Sequence, residues 1–348
     1  MSSEALNLPG TARVRILAAG DHFVLPRLLT EALRAEVGPE PDIAELMLPW
    51  PVEPFGPVAE VDEASGAEDM MIEALEGRTV CVTQMAPITE KILDNAPGLR
   101  LVAVGRGGPV NVNVEAATER GVRVCYAPGR NATATAEFTV GLILSVLRRI
   151  PHTHAALTLR GEWGGEYYSY ASTGLELEGG TVGLVGYGAV GSRVARILTA
   201  FGARVLVYDP YADGVPNPVA SLAELLGRSD VVSLHARLTP ETRGMIGAHE
   251  LALMPTGSVL VNCARGGLVD TGALCDALDS GQLFGAGLDT YAEEPPPPGS
   301  RLFRTPNLVM TPHLGGASRA VAHKAARIVA AEVGRHHRGE PLRHCLNS

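Results

Sequence analysis

The stretch TVGLVGYGAVGSRVA, from Thr181 to Ala195, decides the fold of this chain. An apolar run leads into the spacing G-x-G-x-x-G, formed by Gly186, Gly188 and Gly191, and a helix-compatible stretch follows. In such a unit the first glycine permits a tight turn, the second lets backbone approach a pyrophosphate, and the third allows close helix–strand packing. The N–H groups and dipole of the helix then face the phosphates. The pattern therefore predicts a dinucleotide site.

An acidic residue follows the glycine motif at a distance at which it could bind the ribose of a dinucleotide. The next apolar run, RVLVYDP, ends at Asp209, 18 residues beyond Gly191. An acid at this point accepts hydrogen bonds from a ribose diol and repels a 2′-phosphate, and neither Pro210 nor Tyr211 supplies an arginine to offset that repulsion. The sequence therefore predicts NAD rather than NADP. The alternative is an ordinary βα turn with a capping acid.

Three charged residues follow further apolar runs. Arg265 follows the run 258–262 within VLVNCARGGLVD, Glu294 lies in GAGLDTYAEEPPPP, and His313 lies in NLVMTPHLGGAS. Because open α/β sheets bind ligands beyond the carboxyl ends of their strands, we expect these side chains to meet. An arginine can grip a carboxylate with two hydrogen bonds, and a histidine can move a proton beside it. The alternatives are a surface arginine in a turn and a structural histidine.

These residues resemble the D-2-hydroxyacid dehydrogenase family, which includes phosphoglycerate, glycerate, D-lactate and formate dehydrogenases. The resemblance extends from about residue 79 to the C-terminus, and the first 78 residues match only in general layout. Besides the glycine fingerprint, the matching segments are APGRNATATAEFTVGLIL from Ala127, SDVVSLHARLTPETRGMIG from Ser229, VNCARGGLVD from Val261, residues 289–295, and TPHLGG from Thr311.

The resemblance implies a role for each matching position. Arg265 corresponds to the substrate-binding arginine, Glu294 to the glutamate of the catalytic dyad, and His313 to the catalytic histidine. Asp289 corresponds to the acid that contacts the nicotinamide carboxamide, and Asn131 to a hinge-loop asparagine near the substrate. The cofactor-binding candidates are Gly186, Gly188, Ala189, Val190, Gly191, Asp209, His235, Ala236, Cys263, Ala264, Asp289 and Gly315. The substrate-binding candidates are Met85, Gly107, Gly108, Asn131, Arg265 and His313.

The chemistry implied by the resemblance is reversible hydride transfer between NAD and C2 of a 2-hydroxy or 2-oxo acid. His313 would donate the proton in reduction and remove it in oxidation. Glu294 would raise the pKa of that histidine, and Arg265 would orient the substrate carboxylate. Three alternatives stay open, which are 3-phosphoglycerate dehydrogenase-like activity, phosphite oxidation on the same fold, and a non-catalytic NAD(H)-sensing protein. Formate oxidation is disfavoured, because that branch has glutamine at the position of Glu294.

Alternating apolar runs and helix-like segments predict the α/β class, with two doubly wound Rossmann-like domains and a parallel sheet in each. The resemblance adds that residues 1–127 and 317–348 form a discontinuous substrate-binding domain. Residues 128–316 would form the NAD-binding domain, and the active site would lie in the cleft between the two. Long helices are predicted over 132–149 and 317–337, and ten short apolar runs are predicted to be strands.

Composition limits the functional classes. The chain has 348 residues and a formal net charge of −9 without a basic run, which argues against nucleic acid binding. Five cysteines without metal-ligand spacing indicate a reducing compartment and predict no metal site. The N-terminus does not resemble a signal peptide, and no apolar stretch approaches the roughly 20 residues that span a bilayer. A cytoplasmic protein without a membrane partner is expected.

Two segments outside the motifs need their own interpretation. Residues 36–76 are rich in acids and prolines and contain no lysine or arginine, which predicts a solvated, partly irregular insertion or, alternatively, a docking surface. Residues 151–174 carry Trp163, Tyr167, Tyr168 and Tyr170, and relatives build a dimer interface there. Since aromatic residues are typical of interface cores, a homodimer is predicted, although the same residues could instead cap the cofactor domain.

Departures from the family pattern bear on the substrate. Thr83 stands where phosphoglycerate dehydrogenases carry a phosphate-gripping arginine, which favours an unphosphorylated substrate. Pro109 and Val110 alter the usual glycine-rich carboxylate loop, so the backbone cradle would rest on the two glycines that precede them. Arg237 replaces a common proline and either adds a positive charge near the nicotinamide or faces solvent.

Overall fold

The computed structural model describes residues 14–39 and 41–347. The segment 1–13, on which the prediction of no signal peptide rests, lies outside the described residues. The chain divides into two compact units, the first running to Arg130 and resuming at Ser318, the second comprising Asn131–Ala317. No helix among the described residues is both long and apolar enough to cross a bilayer. The substrate-binding role of the first unit stays a prediction.

Within the described residues, strands and helices mostly alternate along the chain. The strands are β1 (Arg15–Gly20), β2 (Asp42–Met47), β3 (Gly56–Val58), β4 (Val61–Ala64), β5 (Val80–Thr83), β6 (Leu101–Val104), β7 (Arg123–Tyr126), β8 (Thr181–Val185), β9 (Arg204–Tyr208), β10 (Val231–Leu234), β11 (Ser258–Asn262), β12 (Leu283–Leu288) and β13 (Leu308–Met310). The α-helices are α1 (Pro26–Val37), α2 (Glu68–Leu75), α3 (Glu90–Asn95), α4 (Val114–Glu119), α5 (Ala132–Leu147), α6 (Ile150–Arg160), α7 (Gly191–Ala200), α8 (Leu222–Gly227), α9 (Ala248–Leu253), α10 (Thr271–Asp279) and α11 (Arg319–His337). The strands β2, β3 and β4 follow one another directly, and so do the helices α5 and α6.

The first unit contains a parallel sheet in the order β2-β1-β5-β6-β7. Strands β5 and β6 are buried at every position, as expected for a parallel sheet covered on both faces. Helix α11 packs on α1 and on β6, so residues from the end of the chain complete this core. The helix begins after Ser318, whose Oγ accepts a hydrogen bond of 3.2 Å from Val321 N and caps it.

The second unit contains a parallel sheet in the order β13-β12-β11-β10-β8-β9. Helix α5 packs on β11, β12 and β13 and also contacts α7. Close packing on β12 depends on glycine, since a Cβ added to Gly287 would lie 2.7 Å from Leu142 Cγ. The predicted fold class, with two Rossmann-like units and a parallel sheet in each, is confirmed.

Residues 36–76, predicted to be partly irregular, also contain three strands and a helix that the sequence patterns did not predict. Strand β2 pairs in parallel with β1, while β3 and β4 form a two-stranded antiparallel sheet and α2 follows. The acids of DIAELM obscured β2, because Asp and Glu are depleted in strands. As an edge strand, however, β2 can carry charged residues, and Thr30 donates a hydrogen bond of 2.5 Å to Glu45 on it.

The helix predicted over 132–149 is shorter than expected. Helix α5 ends at Leu147, and Arg149 adopts a left-handed conformation with φ of 53°. A new helix, α6, begins at Ile150, and Pro151 lies in its first turn, where its missing N–H is tolerated. The chain therefore turns between two helices instead of continuing one.

Candidate active site

The glycine turn between β8 and α7 has the geometry that its spacing predicts. Gly186 has a φ of 100°, and a Cβ added there would lie 2.8 Å from the backbone carbon of His235. A Cβ on Gly191 would lie 2.3 Å from Gly186 O, whereas one on Gly188 would meet nothing within 4 Å. The first and third glycines are thus required by the chain's own packing. Gly188, which is followed by Ala189 and Val190, faces no other part of the described chain, so a pyrophosphate can approach its backbone closely.

Asp209 lies at the end of β9 and bonds directly to this turn. Tyr187 N donates to Asp209 Oδ2 at 2.7 Å, and Tyr211 N donates to Oδ1 at 2.9 Å. Each carboxylate oxygen keeps a further lone pair that can accept a ribose hydroxyl. The turn and the acid together therefore fit a dinucleotide with an unmodified ribose, as the sequence predicts.

The cofactor-binding candidates after β10 and β11 are largely withdrawn from solvent. His235 N donates to Val185 O at 2.7 Å, and the ring Nε2 lies 3.1 Å from Ser233 Oγ. Desolvation lowers the pKa of His235 to about 4, so its ring is neutral at pH 7. Burial raises the pKa of Cys263 to about 12, which makes it a packing thiol rather than a nucleophile. Ala236 and Ala264 are half-buried beside these residues.

Arg265 lies on a short turn that a buried asparagine fixes in place. Asn262, at the end of β11, accepts from Ala264 N at 3.0 Å and donates through Nδ2 to Arg265 O at 2.9 Å. The Arg265 side chain is exposed, and its Nη1 donates to Ala264 O at 2.7 Å. The sequence prediction missed Asn262, although a polar residue ending a buried apolar strand is a recognisable signal.

The arginine turn packs directly against the segment that carries Glu294. A Cβ added to Gly266 would lie only 1.8 Å from the backbone carbon of Tyr291, so only glycine fits there. Tyr291 also donates through its hydroxyl to Thr311 O at 2.8 Å, which ties the segment to the one that carries His313. Three loops that are distant in sequence are therefore joined at one edge of the sheet.

Asp289 holds the histidine loop. Its side chain is 1% exposed, and its carboxylate accepts from Thr311 Oγ1 at 2.7 Å, Leu314 N at 2.8 Å and Gly315 N at 2.7 Å. His313, within that loop, has a φ of 52°, a conformation that L-residues seldom adopt without such support. The contact of Asp289 with a nicotinamide carboxamide stays a prediction, whereas its role in positioning the loop is visible.

His313 and Glu294 form a direct pair. His313 Nδ1 lies 2.6 Å from Glu294 Oε2, and Tyr291 N donates to Glu294 Oε1 at 2.9 Å. The hydrogen bond to Glu294 raises the pKa of His313 against the opposing effect of desolvation. Burial alone would raise the pKa of Glu294, but its hydrogen bonds and the charges of His313 and Arg265 lower it below its ordinary value. Since Nδ1 is engaged, Nε2 is the ring atom available to exchange a proton with a substrate.

The substrate-binding candidates are divided between the two units. In the second, Asn131 lies beside Gly316, where an added Cβ would come within 2.9 Å of Asn131 Nδ2. In the first, Met85 is 4% exposed and its sulfur accepts from Arg106 Nη1 at 3.4 Å. Gly107 and Gly108 are exposed, and nothing lies within 4 Å of a Cβ added to either.

Known proteins resemble this chain over most of its length. Residues 140–315 match the family model for the NAD binding domain of D-isomer specific 2-hydroxyacid dehydrogenases. A D-3-phosphoglycerate dehydrogenase of Methanocaldococcus jannaschii is 36% identical over 83% of this chain and 56% of its own length. A glyoxylate reductase of Korarchaeum cryptofilum is 35% identical over 80% of this chain and 86% of its own length.

A solved structure agrees with these sequence matches. The TT0316 protein of Thermus thermophilus superposes with a TM-score of 0.79 at 34% identity, covering 96% of this chain and 100% of that one. The chain spans about half the length of several phosphoglycerate dehydrogenases that it matches. The glycine turn and Asp209 fit NAD, which the family binds. The chain belongs to the D-isomer specific 2-hydroxyacid dehydrogenase family.

Proposed function

We propose that this chain is an NAD-dependent oxidoreductase acting between C2 of a small D-2-hydroxy acid and the corresponding 2-oxo acid. The observation that carries the proposal is the 2.6 Å contact between His313 Nδ1 and Glu294 Oε2, with the charge of Arg265 acting on both. This arrangement supplies a proton donor of raised pKa and a cation for a carboxylate. Those are the groups that reduction of a 2-oxo acid needs beyond the cofactor.

Each side chain has a defined task in this proposal. The glycine turn and Asp209 would hold NAD, which would act as the hydride acceptor in oxidation and, as NADH, as the donor in reduction. His313 delivers a proton from Nε2 to the carbonyl oxygen in reduction and withdraws it from the hydroxyl in oxidation. Glu294 keeps the ring in one tautomer and stabilises the imidazolium. Arg265 orients the substrate carboxylate, and its guanidinium remains charged throughout the working pH range.

The substrate proposed here carries no phosphate. Thr83 occupies the position of the phosphate-gripping arginine, its side chain is fully buried, and its Oγ1 accepts a hydrogen bond of 2.9 Å from Ala86 N. A buried hydroxyl used in this way offers no positive charge to a phosphoryl group. The competing proposal is 3-phosphoglycerate dehydrogenase-like activity, which the names of several relatives favour.

The deciding experiment measures NADH oxidation by the purified chain with glyoxylate, hydroxypyruvate, 3-phosphohydroxypyruvate and bulkier apolar 2-oxo acids. We expect selective turnover of an unphosphorylated member. A preference of tenfold or more in kcat/KM for 3-phosphohydroxypyruvate would favour the competing proposal. Absence of turnover across the panel, with NADH still bound, would instead favour the last of the three alternatives, an NAD(H)-sensing protein without catalysis.

The same proposal includes a homodimer in the cytoplasm. Trp163, Tyr168 and Tyr170 are 87%, 93% and 99% exposed, and aromatic residues of this kind are enriched where proteins associate. All five cysteines are free thiols, which suits a reducing compartment. Light scattering of the native chain and of the Tyr170→Ser variant tests the dimer. The proposal expects twice the chain mass for the native protein and a shift toward one chain mass for the variant.

A further inference from the structure

The last described residues of the chain pair with strand β7 of the first unit. Tyr126 N donates to His344 O at 3.0 Å, and Leu346 N donates to Val124 O at 2.9 Å. The two residues that lie between these bonds form an isolated antiparallel bridge. A bridge flanked in this way is of the non-hydrogen-bonded kind, in which the Cα atoms are about 4.5 Å apart and the side chains lie closest.

Both residues of this bridge are cysteines, Cys125 on β7 and Cys345 near the end of the chain. A disulfide needs Cα atoms roughly 4.4–6.8 Å apart, and the spacing of a non-hydrogen-bonded pair falls within that range. Side chains directly opposite each other lie on the same face of the sheet, and both cysteines pack in the core that α11 completes. The backbone therefore already has the spacing that a disulfide requires.

Hydrogen bonds on both sides hold the end of the chain in this register. Asn347 accepts from Val124 N at 2.7 Å through Oδ1 and donates through Nδ2 to Val122 O at 2.9 Å. On the other side of the bridge, Glu332 of α11, which is 2% exposed, accepts from Arg343 N at 2.9 Å. A slip of one residue would break these bonds, so they keep the two cysteines opposite each other.

The two thiols differ in their access to solvent. Cys125 is fully buried, and its burial, together with the neighbouring Cys345 and Glu332, raises the pKa of its thiol. Cys345 is half-buried and lines a cavity of about 540 Å³. Arg123 lines the same cavity and offers a positive charge to the carboxylates of a small reagent. A reagent from solvent therefore reaches Cys345 first, and Cys125 can react only afterwards.

We propose that Cys125 and Cys345 form a modification site, at which a small-molecule disulfide such as oxidised glutathione converts the two thiols into a disulfide. The Cys345 thiolate attacks one sulfur of the reagent, so that a mixed disulfide forms and one reagent thiol leaves. Cys125 then loses its proton and attacks Cys345 Sγ, and the second reagent thiol leaves as the mixed disulfide breaks. Two protein thiols are oxidised by two electrons in total, and one reagent disulfide is reduced to two thiols.

The disulfide fixes the end of the chain to β7, where the reduced chain has only non-covalent contacts. It also closes a loop that contains the whole of the second unit, because that unit lies between Cys125 and Cys345 in the sequence. Closing a long loop restricts the unfolded chain, so the oxidised protein is more stable than the reduced one. In a reducing compartment both thiols stay free.

The test treats the full native chain with oxidised glutathione, counts thiols in denaturant and maps linked peptides by mass spectrometry. We expect the loss of two thiols, a link between Cys125 and Cys345, and a rise in Tm of about 5 °C or more that dithiothreitol reverses. Cys275→Ala, which removes a buried thiol of α10, is the matched control and should also lose two thiols. Retention of all thiols by the native chain, a link between another pair, or an unchanged Tm would overturn the proposal.

Two variants test the order of the steps. Cys345→Ser, at a half-buried position, should lose no thiol under the same treatment, and its Tm should not respond to the reagent. Cys125→Ala should stop at the mixed disulfide and gain the mass of one glutathionyl group at Cys345. If C125A does not fold, C345S and the peptide map of the native chain decide. Loss of two thiols in C345S, or a lasting glutathionyl group on the native chain in place of the internal link, would contradict the proposal.

Discussion

The carboxyl edges of the two sheets differ in how their charged groups are satisfied. In the second unit, Asp289 accepts three hydrogen bonds, and Glu294 is bonded to both His313 and Tyr291 N. In the first unit, buried polar atoms of Asp21, Gln84 and Arg130 have no partner within the described residues. Both edges are built on parallel sheets of the same kind.

Sheet edges of the same kind can therefore be satisfied by hydrogen bonds within the chain or be left with unbonded polar atoms. Groups that the chain itself bonds are held in position before any ligand arrives, which suits proton transfer and electrostatic stabilisation. Groups that the chain leaves unbonded lower the stability of the fold, because the loss of water on burial is not offset by hydrogen bonds. We therefore expect substitutions at the second edge to change the reaction rate, and substitutions at the first edge to change stability.

The largest expected effect is that of His313→Ala. Loss of the proton donor should lower kcat by about 10²–10⁴-fold, the usual contribution of a positioned acid or base. NADH affinity, measured by fluorescence titration, should stay near that of the native chain. His249→Ala, at an exposed position on α9, serves as the control and should leave both quantities unchanged. Equal losses of kcat and NADH affinity in H313A would contradict the role given to His313.

Asp289→Asn tests the hydrogen bonds that hold the loop of His313 in place. The variant weakens the acceptors for Thr311 Oγ1, Leu314 N and Gly315 N. Each bond to a charged group contributes about 1.5–3 kcal/mol, so we expect lower Tm together with lower kcat. Asp279→Asn, which breaks an exposed pair with Arg301, is the control and should cost at most about 1 kcal/mol of unfolding free energy. If D289N retained native Tm and kcat, the loop would not depend on Asp289.

Glu294→Gln should change the pH dependence of the reaction. Glu294 raises the pKa of His313, so protonated His313 persists to higher pH in the native chain. Reduction needs that protonated form, and the variant should therefore lose reduction rate at a lower pH than the native chain. Profiles of kcat/KM for 2-oxo acid reduction between pH 5 and 9 measure the shift. Superimposable profiles would show that Glu294 does not control the titration of His313.

The smallest expected effect is at the first edge, with Asp21→Asn. Burial raises the pKa of Asp21 from 3.8 to about 6, so the folded state binds its proton more tightly than the unfolded state. The stability that this proton contributes is complete below about pH 4 and is lost as pH rises through about 6. D21N has no such titration, and its stability relative to the native chain should increase between pH 4 and pH 7. Denaturant unfolding at both pH values measures this, and a constant difference would contradict it.

The sequence predicted the parts of the molecule that depend on local spacing. The glycine fingerprint specifies a turn whose third position, Gly191, is fixed by contact with Gly186 a few residues away, and the structure has that turn. The contact of Gly186 with the backbone of His235, by contrast, is a property of the tertiary fold. Strand β2 escaped prediction, because its acids are tolerated only at the edge of the sheet, which is a property of the tertiary fold. The role of Asp289 in holding the histidine loop likewise depends on the pairing of β12 with β13, which no periodicity reveals.

The route of the chain through its two units has a consequence for synthesis. The first unit is interrupted after Arg130 and resumes only at Ser318 with α11, whose buried alanines and valines cover α1 and β6. During translation, all of the second unit therefore emerges from the ribosome before the first unit can be completed. The first sheet therefore lacks α11 for as long as translation of the inserted unit takes. During that time the apolar surface that α11 later covers is exposed and accessible to chaperones.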